Sequence, residues 1–296
     1  MGERLVVTQH SDRTLDWNAV RAYRARTYRW LPELRVETRD EAVAFVNDRG
    51  FVMFRPIKGI EAPNLWSAVA GDRPVPNRHD DPGHITWAWK DELLDERRWY
   101  YGKILRRRAT ILSLDLAPAF YALSENYGSP ESDYVDQYQA GRMSQEARII
   151  YETLLDRGSL DAVALRKATG MVDDSSRYRF NRGLTELQGD FKVLPIGVAE
   201  AGAWNYAFIY ECVHRYYPEL RTQAQSIKIG EAHRMLVRRY LVSVGAISVS
   251  DVEKLFGWST RDVERAIEGL AAEGALIQGL TVADKRGTWI ALPGLI

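Results

Sequence analysis

Between residues 97 and 108 the stretch RRWYYGKILRRR places Arg97, Arg98, Lys103, Arg106, Arg107 and Arg108 within 12 positions, with no acid among them. Cations at that density neutralise phosphates, and the interleaved Trp99, Tyr100 and Tyr101 offer ring faces on which unpaired bases stack. The same residues also admit a purely structural reading. Asp91, Glu92, Asp95 and Glu96 stand just upstream and can pair with these arginines while the aromatics fill a core. A second cluster, His79, Asp80, Asp81 and His84, has ligand types suited to a metal ion. It flanks a Pro-Gly turn, however, and turn chemistry accounts for the polarity, so neither a metal nor a cofactor is expected. Cys212 is the single cysteine, too few for an intramolecular disulfide or a cysteine-based zinc site.

The composition limits the partners these groups can have. Forty basic and forty acidic residues cancel, so attraction to a polyanion must come from local patches. Arginine outnumbers lysine 32 to 8, a bias that suits phosphate recognition and that genomic base composition also produces. At 296 residues and 46% apolar content the chain can bury real cores in two or more domains. The sequence shows no apolar run of about 18 residues and no hydrophobic signal segment, so no membrane is expected and a cytoplasmic location is.

The elements that must position these groups are clearest after residue 144. SQEARIIYETLLDRG, LDAVALRKATG and SSRYRFNRGLTELQGD read as three helices, followed by the β-rich runs FKVLPIGV and NYAFIYECV. The order returns from Gly230, and Gly158 and Gly170 recur as Gly245 and Gly257, each 87 positions on. This is the signal order of a winged helix-turn-helix used twice. The expected fold is an α/β chain, mainly helical (α+β), with tandem winged helix-turn-helix domains at 144–222 and 223–296. A linker is expected at 131–143, and an irregular winged-helix-like, aromatic and basic region at 1–130. Within that region residues 38–55 are expected to end a third, less regular unit, with Val43, Val46 and Gly50 in the places of Ile267, Leu270 and Gly274. DWNAVRAYRARTYRWL is expected to be a solvated helix.

In such a unit the third helix enters the major groove of duplex DNA. In the first copy Arg177, Tyr178, Arg179 and Arg182 point away from the apolar stripe of Phe180, Leu184 and Leu187, and Ser175 and Ser176 are placed to cap the helix. In the second copy Arg261, Glu264, Arg265 and Glu268 alternate in sign, a face with little gain from a polyanion. The wings reverse the asymmetry. Lys285 and Arg286 occupy the second tip, whereas the first, AEAGAWN, carries an acid and a tryptophan. Duplex DNA is the expected partner, with Arg106, Arg107 and Arg108 adding contacts.

Three stretches, DEAVAFVNDRGFVMFRPIKGIEAPNLWSAVAG, ITWAWKDELL and the tandem units after residue 144, together resemble the YcaQ/AlkZ-type DNA glycosylases of crosslink and alkylation repair. The resemblance implies tandem winged helices wrapped around duplex DNA. It also implies a catalytic glutamine, an apolar residue, then aspartate or glutamine, on the strand after the early helix. Matching Gly50-Phe51-Val52 puts Met53, Phe54 and Arg55 there, so both polar catalytic groups are missing. A cation about 4 Å from a developing oxocarbenium costs about 4 kcal/mol at an effective dielectric of about 20. That slows glycosidic cleavage by on the order of a thousandfold. Three readings stay open. The chain is a noncatalytic DNA binder; or it is a glycosylase using other carboxylates, with Asp91 or Glu92 preferred over Glu61 and a base pocket walled by Trp87, Trp89 and Trp99; or it is a transcriptional regulator or protein-docking scaffold.

Overall fold

The computed structural model describes residues 14–76, 80–126 and 128–296. Strand β1 (Thr14–Leu15) and helix α1 (Trp17–Thr27) precede a first unit of α2 (Arg39–Arg49), β2 (Phe51–Met53), α3 (Leu65–Ala70), α4 (Ile85–Asp95), β3 (Tyr100–Gly102) and β4 (Thr110–Leu112). Helices α5 (Ala117–Tyr121) and α6 (Asp133–Gln139) lead to a second unit: α7 (Gln145–Arg157), β5 (Leu160–Asp161), α8 (Ala162–Ala168), α9 (Asp174–Gly189), β6 (Val193–Ala199) and β7 (Ala207–Cys212). Past α10 (Val213–Tyr216) and α11 (Pro218–Gln225) the third unit follows: α12 (Ile229–Val244), β8 (Ala246–Ser248), α13 (Val249–Phe256), α14 (Thr260–Ala272), β9 (Ile277–Val282) and β10 (Lys285–Ala291).

In every unit the last strand is central and the first and second strands flank it: β2-β4-β3, β5-β7-β6 and β8-β10-β9. Helix, strand, helix, helix, strand, strand with that pairing occurs three times, and it is the order expected of a winged helix. The third occurrence corrects the expectation for residues 38–55. Helix α2 opens the first unit rather than closing its helical part, because β2, α3, α4, β3 and β4 follow it in the order that follows α7 and α12; Gly50 ends it at φ +77°, as Gly158 (+76°) ends α7 and Gly245 (+73°) ends α12. Residues 54–64 intervene between β2 and α3, whereas β5 and β8 run straight into the following helices. Asp161 and Ser248, the last residues of those strands, cap α8 and α13 by accepting from amides in their first turns. Across the longer first-unit connection Asn64 does the same for α3, accepting from the Ser67 amide at 2.7 Å.

The units differ in how they are packed. Phe51 of β2 meets Tyr240 of α12 and Phe256 of α13, both with ring centroids 5.9 Å away, inside one core shared by the first and third units. The second unit has its own core of Ile150, Tyr151, Leu154, Phe180, Leu184 and Leu187. Cys212 belongs to it, fully buried, and burial pushes its thiol up to about 12, so it is an inert core residue.

Helix α1 is not the solvated helix its arginines suggested. Arg24 is buried, donates to the Val244 and Ala246 carbonyls at 3.0 and 2.7 Å, and pairs with Glu61 at 2.7 Å. A buried guanidinium is tolerable only with such a full set of acceptors. The segment expected to be a linker, 131–143, carries α6, whose Tyr134 packs edge-on against Tyr151 at 5.3 Å. Among the described residues no helix is long and apolar enough to cross a membrane.

Candidate nucleic-acid interface

The arginine run lies in the connection between β3 and β4. Leu105 is buried as its anchor, and Thr110 fastens the turn, its hydroxyl accepting from the Leu105 amide at 3.1 Å and donating to the Arg108 carbonyl at 2.9 Å. Arg106 and Arg107 have φ of +54° and +56°, a left-handed conformation that costs about 1 kcal/mol or more for each side-chain-bearing residue. Among the described residues no carboxylate forms an ion pair with Arg106, Arg107 or Arg108. Of the upstream acids, Glu96 pairs with Arg39 at 2.7 Å and with Arg98 at 3.8 Å, and Glu92 with Arg39 at 3.8 Å, while Arg98 also takes Asp40 at 3.2 Å. The structural alternative therefore holds for the first part of the run, where Arg98 faces Glu96 at 3.8 Å and Trp99, Tyr100 and Tyr101 are buried in the core rather than free to stack on bases, and fails only for Arg106, Arg107 and Arg108.

Arg107 and Arg108 line a trough with Arg55, Lys58 and Lys103, and its remaining walls, Phe54 and Tyr101 among them, include no acid. Lys103 is fixed against the second unit, its amide donating to Gln188 Oε1 at 3.1 Å and its ammonium to Thr185 Oγ1 at 3.2 Å. Burial, and then the neighbouring Arg108, lower its pKa. Through Arg55 and Trp87 the trough opens into an aromatic cleft of about 730 Å³ lined also by His84, Trp204 and Tyr206. Trp204 is 91% exposed at the tip of the β6–β7 wing. Arg55 lies 5.2 Å from the Trp87 ring centroid and 5.8 Å from that of Trp66, and its buried Nε has no hydrogen-bond partner among the described residues.

Beneath the cleft Lys90 is fully buried, its ammonium 4.4 Å from the Phe208 ring centroid and 5.1 Å from that of Trp87. It donates to Asp91 and, at 3.0 Å, to the Tyr206 hydroxyl, which itself donates to Asp91 at 2.9 Å. Burial lowers the Lys90 pKa against the pull of Asp91, and burial with Asp91 raises that of Tyr206. This closed set pins the second unit's wing to α4. The sequence reading singled out neither Lys90 nor Tyr206, although a signal was present: Lys90 falls on the buried stripe Thr86, Trp89, Leu93 of α4.

The remaining expectations fall unevenly. Met53 is buried, and Arg55 faces the trough. Trp87 lines the cleft, but Trp89 and Trp99 are buried in the first unit's core, so neither offers a free ring face as a stacking wall. Of the carboxylates, Glu61 is held by Arg24 and by the Tyr28 hydroxyl at 2.9 Å, and Glu92 faces Arg39; Asp91 alone of the three touches a cleft-lining residue. On α9, Arg177, Tyr178, Arg179 and Arg182 are exposed, with Arg177 3.3 Å from Asp174 and Arg179 3.5 Å from Glu146. Tyr178, Arg182 and Thr185 share one helical stripe, so the Lys103 contact continues along α9. Asp173 stands at the N-cap, and Ser176 is buried and donates to the Asp173 carbonyl, so the expected serine caps are not formed. Lys285 lies 4.0 Å over the Trp17 ring, and Arg286 is exposed. In the metal-ligand cluster Asp81 accepts from Arg73 at 2.6 Å and from the Gly83 amide at 2.8 Å, and His84 packs edge-on against Trp66. His79 lies outside the described residues.

Fold and site together define an α/β protein of three similar helix-and-strand units, in which the first unit forms a cationic trough that opens into an aromatic cleft walled by the first and second. The AlkZ-related family matches residues 36–257, and the chain belongs to that family. Among solved structures, the Streptomyces sahachiroi DNA glycosylase AlkZ is similar at a TM-score of 0.59 and 14% identity, over 95% of this chain and 71% of that one. At such identity the likeness is one of fold. No curated protein matches the chain.

Proposed function

We propose that this protein binds duplex DNA along the trough and takes an unstacked base into the aromatic cleft, without the family's glutamine-based cleavage chemistry. The carrying observation is the trough itself: five cations, Arg55, Lys58, Lys103, Arg107 and Arg108, with no acid on its walls, joined to the cleft through Arg55 and Trp87. Phosphates gain from the first feature and base faces from the second. The similarity to a DNA glycosylase supports the same partner. Met53 and Arg55 supply neither a water-orienting amide nor a carboxylate, and a guanidinium facing the trough opposes a developing sugar cation. Replacing Arg107 and Arg108 together by alanine should weaken duplex binding by about tenfold or more and reduce the slope of log affinity against log salt by about 1.8. Filter binding or fluorescence anisotropy over a salt series reads both, and an unchanged slope would refute the assignment.

A second reading, cleavage assisted by Asp91, is favoured by one contact, its hydrogen bond from Tyr206 on the cleft wall. Incubation with alkylated and crosslinked duplexes separates the two. Abasic product made by the natural protein and lost in Asp91→Asn replaces the binding-only reading, and no product across the lesions retains it.

A further inference from the structure

Arg55 stands where the trough opens into the aromatic cleft, half-buried, and it lines both. The backbone before it is fixed on two sides, the Phe54 amide donating to the Ala109 carbonyl at 2.9 Å and the Phe54 carbonyl accepting from the Trp66 amide at 3.3 Å. The guanidinium lies over the rings of Trp87 and Trp66. Ring faces engage the flat of a guanidinium and leave the N–H groups on its edge unspent. Among the described residues that edge has neither a hydrogen bond nor an ion pair, and no acid lines the trough or the cleft. The Tyr206 hydroxyl is already used, donating to Asp91 and accepting from Lys90, and His84 packs on Trp66. Trp204 and Tyr206 are exposed and supply ring faces beside Arg55.

We infer that Arg55 reads the base taken into the cleft and selects an uncharged base with two adjacent acceptors on one edge, guanine over adenine. The inference rests on the base-capture reading above and adds what the cleft selects. A guanidinium edge donates two parallel hydrogen bonds, and guanine meets them with O6 and N7. The same edge of adenine puts an amino donor in place of the first acceptor, so one N–H of Arg55 faces another donor. A base that carries positive charge is repelled by the guanidinium, and no acid on the cleft wall offsets that repulsion. A phosphate would also satisfy the edge, but Lys58, Lys103, Arg107 and Arg108 already serve phosphates along the trough, and the rings of the cleft favour a base.

Fluorescence anisotropy of the full chain tests the assignment with duplexes alike except for one unpaired nucleotide, which carries guanine, adenine or the cationic 1-methyladenine, beside a fully paired control. Unpaired guanine should bind about tenfold or more tighter than unpaired adenine, and 1-methyladenine more weakly than adenine. Arg55→Gln should remove both differences and keep the preference for an unpaired base over the paired control. The comparison of probes in the unaltered chain does not depend on any variant folding. No preference for unpaired over paired duplex would overturn the base-capture reading and this inference with it, whereas a preference that ignores the identity of the base overturns this inference alone. Equal losses on every duplex in Arg55→Gln, with a shallower salt slope, would assign Arg55 to a phosphate and overturn it as well.

Discussion

The second and third units share one topology and use it oppositely. In the second, the wing stands against α4 and its tip puts Trp204 in solvent, so a hairpin becomes one wall of a cleft. In the third, the wing is closed off: β9 pairs with β1, Trp17 packs on Trp289 at 5.7 Å, and the tip residue Lys285 rests on the Trp17 ring. The third helices diverge as well. Helix α9 carries exposed arginines, whereas α14 contributes Glu264 and Glu268 to a groove that also holds Glu253. A repeated fold thus fixes where side chains point but not which copy meets a ligand, and neighbouring segments decide that.

The sharpest break in this comparison is at the equivalent glycines. A Cβ on Gly245 would lie 2.7 Å from both Tyr23 and Leu295, whereas one on Gly158 meets nothing within 4 Å. Both have positive φ, so Gly158→Ala should cost about 1–2 kcal/mol from backbone strain alone, and Gly245→Ala about 1–3 kcal/mol more from overlap. Urea denaturation measures the difference, and equal losses would mean that the third unit is no more enclosed than the second. Next in size, Trp17→Ala should destabilise by about 2 kcal/mol, because it removes the support of Trp289 and Lys285. Trp204→Ala should leave stability within about 0.5 kcal/mol and weaken binding to duplex with an unpaired base by about fivefold or more, with little change on fully paired duplex. Equal losses on both duplexes would assign Trp204 to backbone contact.

The smallest effect is electrostatic. The folded-state pKa of Asp190 is raised, so between about pH 4 and pH 6 the folded chain holds a proton that the unfolded chain releases. Stability therefore falls as pH rises through that window. Asp190→Asn should flatten this slope and raise the melting temperature slightly at pH 7.5, an effect that solvent screening keeps below about 1 kcal/mol. A steeper slope in the variant would contradict the assignment.

Two copies were legible because the glycines that close their helices are evenly spaced. The first copy was not, because residues 54–64 separate β2 from α3 and the even glycine spacing is lost. With that marker gone, α2 resembled a third helix, since any amphipathic helix stopped by glycine before a strand looks alike. The site was legible by type more than by placement. Trp87 and Trp89 are two positions apart on one helix and so project about 200° apart, which allows only one to face the cleft. The arginine loop was visible as charge, but its freedom from carboxylates depended on Arg39 drawing away Glu92 and Glu96, a contact between helices distant in sequence.

The pairing of β1 with β9 joins Thr14 to Thr281 and Leu15 to Val282, almost opposite extremes of the chain. Thr281 stands 267 positions after Thr14, so this ladder cannot form until β9 has been made and it closes a long loop. Until then the edge of β9 at Thr281 and Val282 stays open to pairing with another chain, and the two-residue strand β1 covers it, leaving only a very short edge.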